Sequence, residues 1–122
     1  MEQNIIIATA ALFGFLSVVF GAFGAHALKK KLSTEQLHSF ETGVKYQMYH
    51  AIVLLILGFA NLELSVAIYA CFTLGTVLFS FSIYGLILSD AKGKKLKFLG
   101  PVTPMGGLLL VMGWILLLIG FI

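Results

Sequence analysis

The sequence has little charge, and its basic charge is of one kind. Of 122 residues only 11% are charged, and all eight basic residues are lysine. A soluble domain averages about 25% charged residues. There is no arginine, and no basic cluster is interleaved with stacking aromatics. Nucleic acid is therefore excluded as a partner. The single cysteine, Cys71, excludes an internal disulfide and a thiolate metal cluster. It reads as a small apolar packing residue. No nucleophile–base pair, metal-ligand spacing or phosphate loop is visible. The sequence thus argues against an enzyme and implies no cofactor.

Apolar residues dominate instead. They make up 60% of the chain, more than a water-soluble core of this size can hide. Lipid is the better solvent. A spanning helix needs about 20 mostly apolar residues. Four segments qualify, at about 5–28, 42–62, 64–88 and 98–122. Helices are expected because a helix satisfies its own backbone in lipid. The first segment includes an Ala25-x-Ala27 pattern, but it lacks a basic flank and is too long for a signal peptide. It reads as a retained span. The expected fold is an all-α integral membrane bundle, with residues 1–122 forming one domain. Short connections make the four helices antiparallel, with an especially tight turn at Asn61-Leu62-Glu63-Leu64.

Lysine placement predicts orientation. Lys29, Lys30 and Lys31 fill the first connection; Lys92, Lys94, Lys95 and Lys97 fill the third. The middle connection and the termini have none. By the positive-inside rule both lysine loops are cytoplasmic and both termini lie outside. These lysines, with Lys45 beside Glu41, are expected at the lipid headgroups. There they would favour anionic lipid.

Between the first two spans, Ser33 and Gln36 form a capping-box pattern, with Leu32 and Leu37 at staple positions. The second helix should therefore start near Thr34 and run on continuously past Gly43. Near the fourth span, Thr103 followed by Pro104 predicts an N-cap and first turn. Two stripes of small residues predict helix–helix contacts. One runs through Ala10, Gly14, Ser17, Gly21 and Ala25, the other through Gly106, Gly113 and Gly120 at intervals of seven. Contacts between subunits of a homo-oligomer are the alternative use.

The polar residues converge at one depth. Four antiparallel spans bring GAFGAH, TGVKYQMYH, FSFSIY and TPMGG to the same inner half. On the second helix Tyr46, Gln47 and His50 share a face. His50 lies too deep to reach the headgroups and needs a partner inside the bundle. The candidates are Gln47, Ser80, Ser82, Tyr84 and His26. With Tyr46 and Thr103 these residues make a candidate polar cluster. Trp114, in mid-span, reads as a packing residue whose indole N–H also wants a partner. His38 is expected to face water or headgroups.

Together, GAFGAHAL, TGVKYQMYH, LFSFSIY and TPMGGLLLVMGW resemble the small membrane-protein family known as domain of unknown function 423. The family also includes relatives of an animal four-span transmembrane protein. The resemblance covers essentially the whole chain. Its third motif commonly reads F-S-G-S-[LI]-Y; here Phe81 takes the glycine position and a glycine follows at Gly85. The family has no established activity, so the resemblance implies a four-helix membrane bundle and no catalytic residue; the chain's bacterial size implies a cytoplasmic-membrane location. The expected function is a non-enzymatic bundle acting through lipid or protein partners. The alternative is an oligomeric transporter or channel component built on His50.

Overall fold

A computed structural model of the chain describes residues 2–60 and 63–122. Four helices account for most of it: α1 (Gln3–His26), α2 (Thr34–Phe59), α3 (Val66–Ala91) and α4 (Val102–Ile119). No strand occurs among the described residues. Asn61 and Leu62, in the turn expected between α2 and α3, lie outside the described residues. Residues near the helix ends show the up-and-down order. Thr9 on α1 meets Tyr69 on α3, and Gln36 on α2 meets Asp90 on α3. Early in α4, Thr103 meets Ser82 in the second half of α3. α1 packs chiefly on α2 and α3 on α4, while α2 and α3 join the two hairpins.

Local chemistry sets the helix ends. Ser33 Oγ accepts from the Gln36 N–H at 3.1 Å, and Gln36 Oε1 accepts from the Ser33 N–H at 3.0 Å. This is the complete capping box that starts α2. Buried Leu32 and half-buried Leu37 belong to one apolar cluster beside it. Ser65 Oγ caps α3 by accepting from the Ile68 N–H. At the other end of α3, Gly93 has φ +81°, which a side chain would resist. The Gly93 N–H reaches the Asp90 carbonyl and the Lys94 N–H reaches the Ser89 carbonyl, each at 3.0 Å. Those two bonds are a Schellman stop. A 3₁₀ turn at Lys97–Leu99 leads into α4.

α4 starts at Val102 rather than at Pro104, so Thr103 is not its N-cap. Its hydroxyl has a better use, a hydrogen bond to Ser82. α2 is continuous through Gly43, as its pattern indicates. α3 is interrupted by a π-helical turn at Val77–Phe81. Gly106 abuts that turn so closely that a Cβ there would overlap the Phe79 nitrogen.

α1, α3 and the Lys97–Ile119 segment are each long and apolar enough to cross a membrane. α2 has the length, 26 residues, but Lys45, Gln47 and His50 dilute its apolar character. Gln47 and His50 are buried inside the bundle, where protein rather than lipid solvates them. Only 17–28% of each membrane-length apolar segment is buried. The remaining apolar surface, including Leu108 and Phe121 at 69% exposure, is the surface of a lipid-embedded bundle.

Candidate functional site

Two apolar clusters lie along the bundle. One centres on Ile6, Phe13, Leu54, Phe72 and Leu110; the other on Leu28, Leu32, Phe40 and Tyr84. Along α2, the polar residues Gln47 and His50 fall between Phe40 of the second cluster and Leu54 of the first. A polar side chain at this depth has no water to bond, so partners within the protein are favoured.

Gln47 is fully buried. Its Nε2 donates to the Phe13 carbonyl of α1 at 2.9 Å. Its Oε1 accepts from the Tyr84 hydroxyl of α3 at 2.7 Å. One amide thus ties three helices. Ser80, in the π-helical turn, donates to the Gly43 carbonyl at 2.7 Å. Gly43 has no side chain in the way: a Cβ there would lie 2.8 Å from the Tyr84 ring. Phe81 packs its ring on Phe20 and Tyr84.

His50 belongs to a second group. The Trp114 Nε1–H lies 3.1 Å from His50 Nε2. An indole nitrogen can only donate, so His50 Nε2 accepts. The ring proton is then on Nδ1, which donates to the Tyr46 carbonyl at 2.7 Å. Both ring nitrogens are used, and the tautomer follows from the partners. The Phe72 ring packs against both, 5.7 Å from the imidazole centroid and 5.4 Å from the indole. Ser82 and Thr103 form the third group, joining α3 to α4. Among the described residues no side-chain hydrogen bond links the three groups.

The structure places Gln47, His50, Ser80, Ser82 and Tyr84 in the interior. Thr103 is half-buried beside them. Tyr46 contributes its backbone carbonyl, while its ring is 41% exposed. His26 stays outside: it ends α1 on an exposed face. None of the five candidate partners is hydrogen-bonded to His50; Trp114 and the Tyr46 carbonyl are. Three buried hydroxyls, on Ser17, Thr73 and Thr76, have no hydrogen-bond partner.

Most of the small-residue stripe on α1 faces α2. A Cβ added at Gly14 would lie 3.9 Å from Ala51, and one at Gly21 3.5 Å from Val44. Ala10 and Ser17 are buried, but Ala25 is exposed. On α4, Gly106 meets the α3 backbone and Gly113 the Phe72 ring. Gly120 does not pack on another helix; a Cβ there would meet only carbonyls of its own last turn. Gly24, Gly58 and Gly75, outside the predicted set, are close contacts too. Gly24 meets Phe40, Gly58 meets Ile7 and Gly75 meets Leu110. Lys45 and the seven loop lysines are all exposed. No group of three or more potential metal ligands occurs among the described residues.

The class these features define is the small integral membrane bundle, with polar side chains turned inward as links between helices. The family described as "Protein of unknown function (DUF423)" matches residues 20–107, and the chain belongs to it. A UPF0382 membrane protein of Staphylococcus haemolyticus is 40% identical over 121 residues, covering 96% of this chain and 94% of the relative. The UPF0382 inner membrane protein YgdD of Escherichia coli is 38% identical over 126 residues, covering 100% of this chain and 92% of the relative. No solved structure matches. The protein is a small membrane protein of this family.

Proposed function

We propose that the chain is a non-enzymatic, four-span bundle of the cell membrane that acts through its surface, toward lipid and protein partners. The polar groups at Gln47 and His50 serve as an interhelical lock. One observation carries the reading: the polar atoms of both side chains are consumed by partners within the protein. A transport site needs ligand-binding capacity left over, and a catalytic base needs a free lone pair facing substrate. His50 has neither.

The lysine-bearing ends of α1 and α3 lie at the cytoplasmic face, in the headgroup layer. Both termini lie outside. The small residues Gly14, Ser17, Gly21, Gly106 and Gly113 act inside one bundle rather than between subunits. A homo-oligomer would then be built from the exposed apolar faces.

Reconstitution of wild type and His50→Ala in proteoliposomes tests the lock. Neither protein should conduct protons or small ions. The variant should lose stability by about 0.6–1.7 kcal/mol, the range for a hydrogen bond between membrane helices. A flux in wild type that vanishes in His50→Ala would overturn this reading.

A further inference from the structure

Between the loop that leaves α1 and the last turn of α3 lies a groove of about 540 Å³. Its walls are Phe23, Leu28, Leu32, Leu88 and Ala91, and its charged members are Lys31 and Lys92. The volume falls within the range of about 300–1,000 Å³ usual for small-molecule sites. Leu28 and Leu32 are core residues at 5% and 8% exposure, so this part of the wall is fixed by packing. Lys31 and Lys92 are exposed, and no acid lines the groove. Asp90, the acid nearest in sequence to Lys92, accepts at its Oδ2 from Gln36 Nε2.

We propose that this groove holds one acyl chain of an anionic phospholipid, with the phosphate between the Lys31 and Lys92 ammonium groups. The proposal rests on the membrane-bundle reading above, with the lysine loops in the headgroup layer. Charge complementarity identifies the head: two lysines border one cleft with no carboxylate in its lining. The walls identify the tail. Inorganic phosphate would gain nothing from Phe23, Leu28 or Leu88, whereas an acyl chain gains from every methylene it buries. The two lysines come from different connections. Leu28, Leu32 and Leu88 pack in one apolar cluster, and nearby the Gln36–Asp90 bond ties the start of α2 to the end of α3.

Native mass spectrometry of the detergent-purified full chain, titrated with phosphatidylglycerol or phosphatidylcholine, tests the site. Wild type should retain one phosphatidylglycerol in preference to phosphatidylcholine. Lys31→Gln/Lys92→Gln should weaken that binding by roughly tenfold or more, since each lysine contributes to anionic-lipid attraction. Lys94→Gln/Lys95→Gln removes the same charge outside the groove and should stay near wild type. Ala91→Phe fills the groove without changing charge and should also weaken binding. Inorganic phosphate should not compete.

Equal loss from both lysine pairs would overturn the site and leave a diffuse lysine field, with the membrane-bundle reading intact. Competition by inorganic phosphate would overturn the lipid as occupant. Equal retention of the two lipids by wild type would overturn both the site and the anionic-lipid role of the lysine loops.

Discussion

In this protein the largest buried polar side chains reach other helices. Gln47 shows the rule most fully, because one amide serves a carbonyl on α1 and a hydroxyl on α3. Gln47→Met keeps much of the volume but leaves the Tyr84 hydroxyl without its acceptor. It should cost about 1–3 kcal/mol. Tyr84→Phe added to Gln47→Met removes the stranded hydroxyl, so the double variant should cost less than the sum of the singles. Thermal or steric-trap unfolding in detergent measures all three, and strict additivity would show that the two side chains do not interact. The burial of Gln47, Ser80 and Tyr84 was legible in the sequence, because a polar group set within an apolar span turns away from lipid. Their partners were only partly so. Gln47 and Ser80 bond the carbonyls of Phe13 and Gly43, and any residue has a carbonyl to offer. Which one is used depends on helix rotation, which a helical wheel does not supply. His50 was matched to nearby hydroxyls for the same reason, while Trp114 was recognised only as a donor in want of an acceptor.

The helices meet where glycine lets them, but not every glycine in a stripe does the same work. Gly106 and Gly14 make the sharpest contrast. A Cβ at Gly106 would overlap the Phe79 nitrogen and come within 2.7 Å of the Leu78 carbonyl carbon. Both are backbone atoms of the π-helical turn and cannot step aside as a side chain can. Gly106→Ala should therefore destabilise the bundle by about 1–3 kcal/mol or more. At Gly14 the nearest atom is 3.9 Å away, an ordinary contact. Gly14→Ala should be neutral, or stabilising by up to about 0.5–1 kcal/mol through helix propensity. Paired melts in the same detergent measure the difference, and equal effects would mean that the close approach of α3 and α4 is not what Gly106 secures. The seven-residue spacing on α4 led to Gly106 and Gly113 but also to Gly120, because spacing does not say where the neighbouring helix ends. The π-helical turn left no mark in the sequence. It is an adjustment of α3 to its neighbours, so it belongs to packing rather than to composition. The capping box at Ser33 was legible because its donors and acceptors all lie within four residues.

At the scale of the whole molecule, charge placement decides more than charge amount. The net charge is only +3. Seven of the eight lysines lie in the connections α1–α2 and α3–α4, which the antiparallel fold brings to one end. The opposite end has Glu2, Glu63 and no lysine. Four helices were legible from apolar length and from these lysines. α2 is the test of the reading, because its first half is not apolar enough to qualify as a span by composition alone. Packing eases the conflict: Gln47 and His50, two of the side chains that lower its hydropathy, face protein rather than lipid, while exposed Lys45 lies nearer the lysine-bearing end. If α2 crosses the bilayer, both termini share one side. Single cysteines placed in a Cys71→Ser background report this directly. Lys94→Cys in intact cells should resist a membrane-impermeant thiol reagent and react only after permeabilisation. Ile122→Cys and Gln3→Cys should both react from outside. Labelling of one terminus without the other would leave an odd number of spans and demote α2 to a helix held within the protein. Labelling of Lys94→Cys in intact cells, with both termini protected, would keep four spans and reverse them, moving the lysines to the outer face.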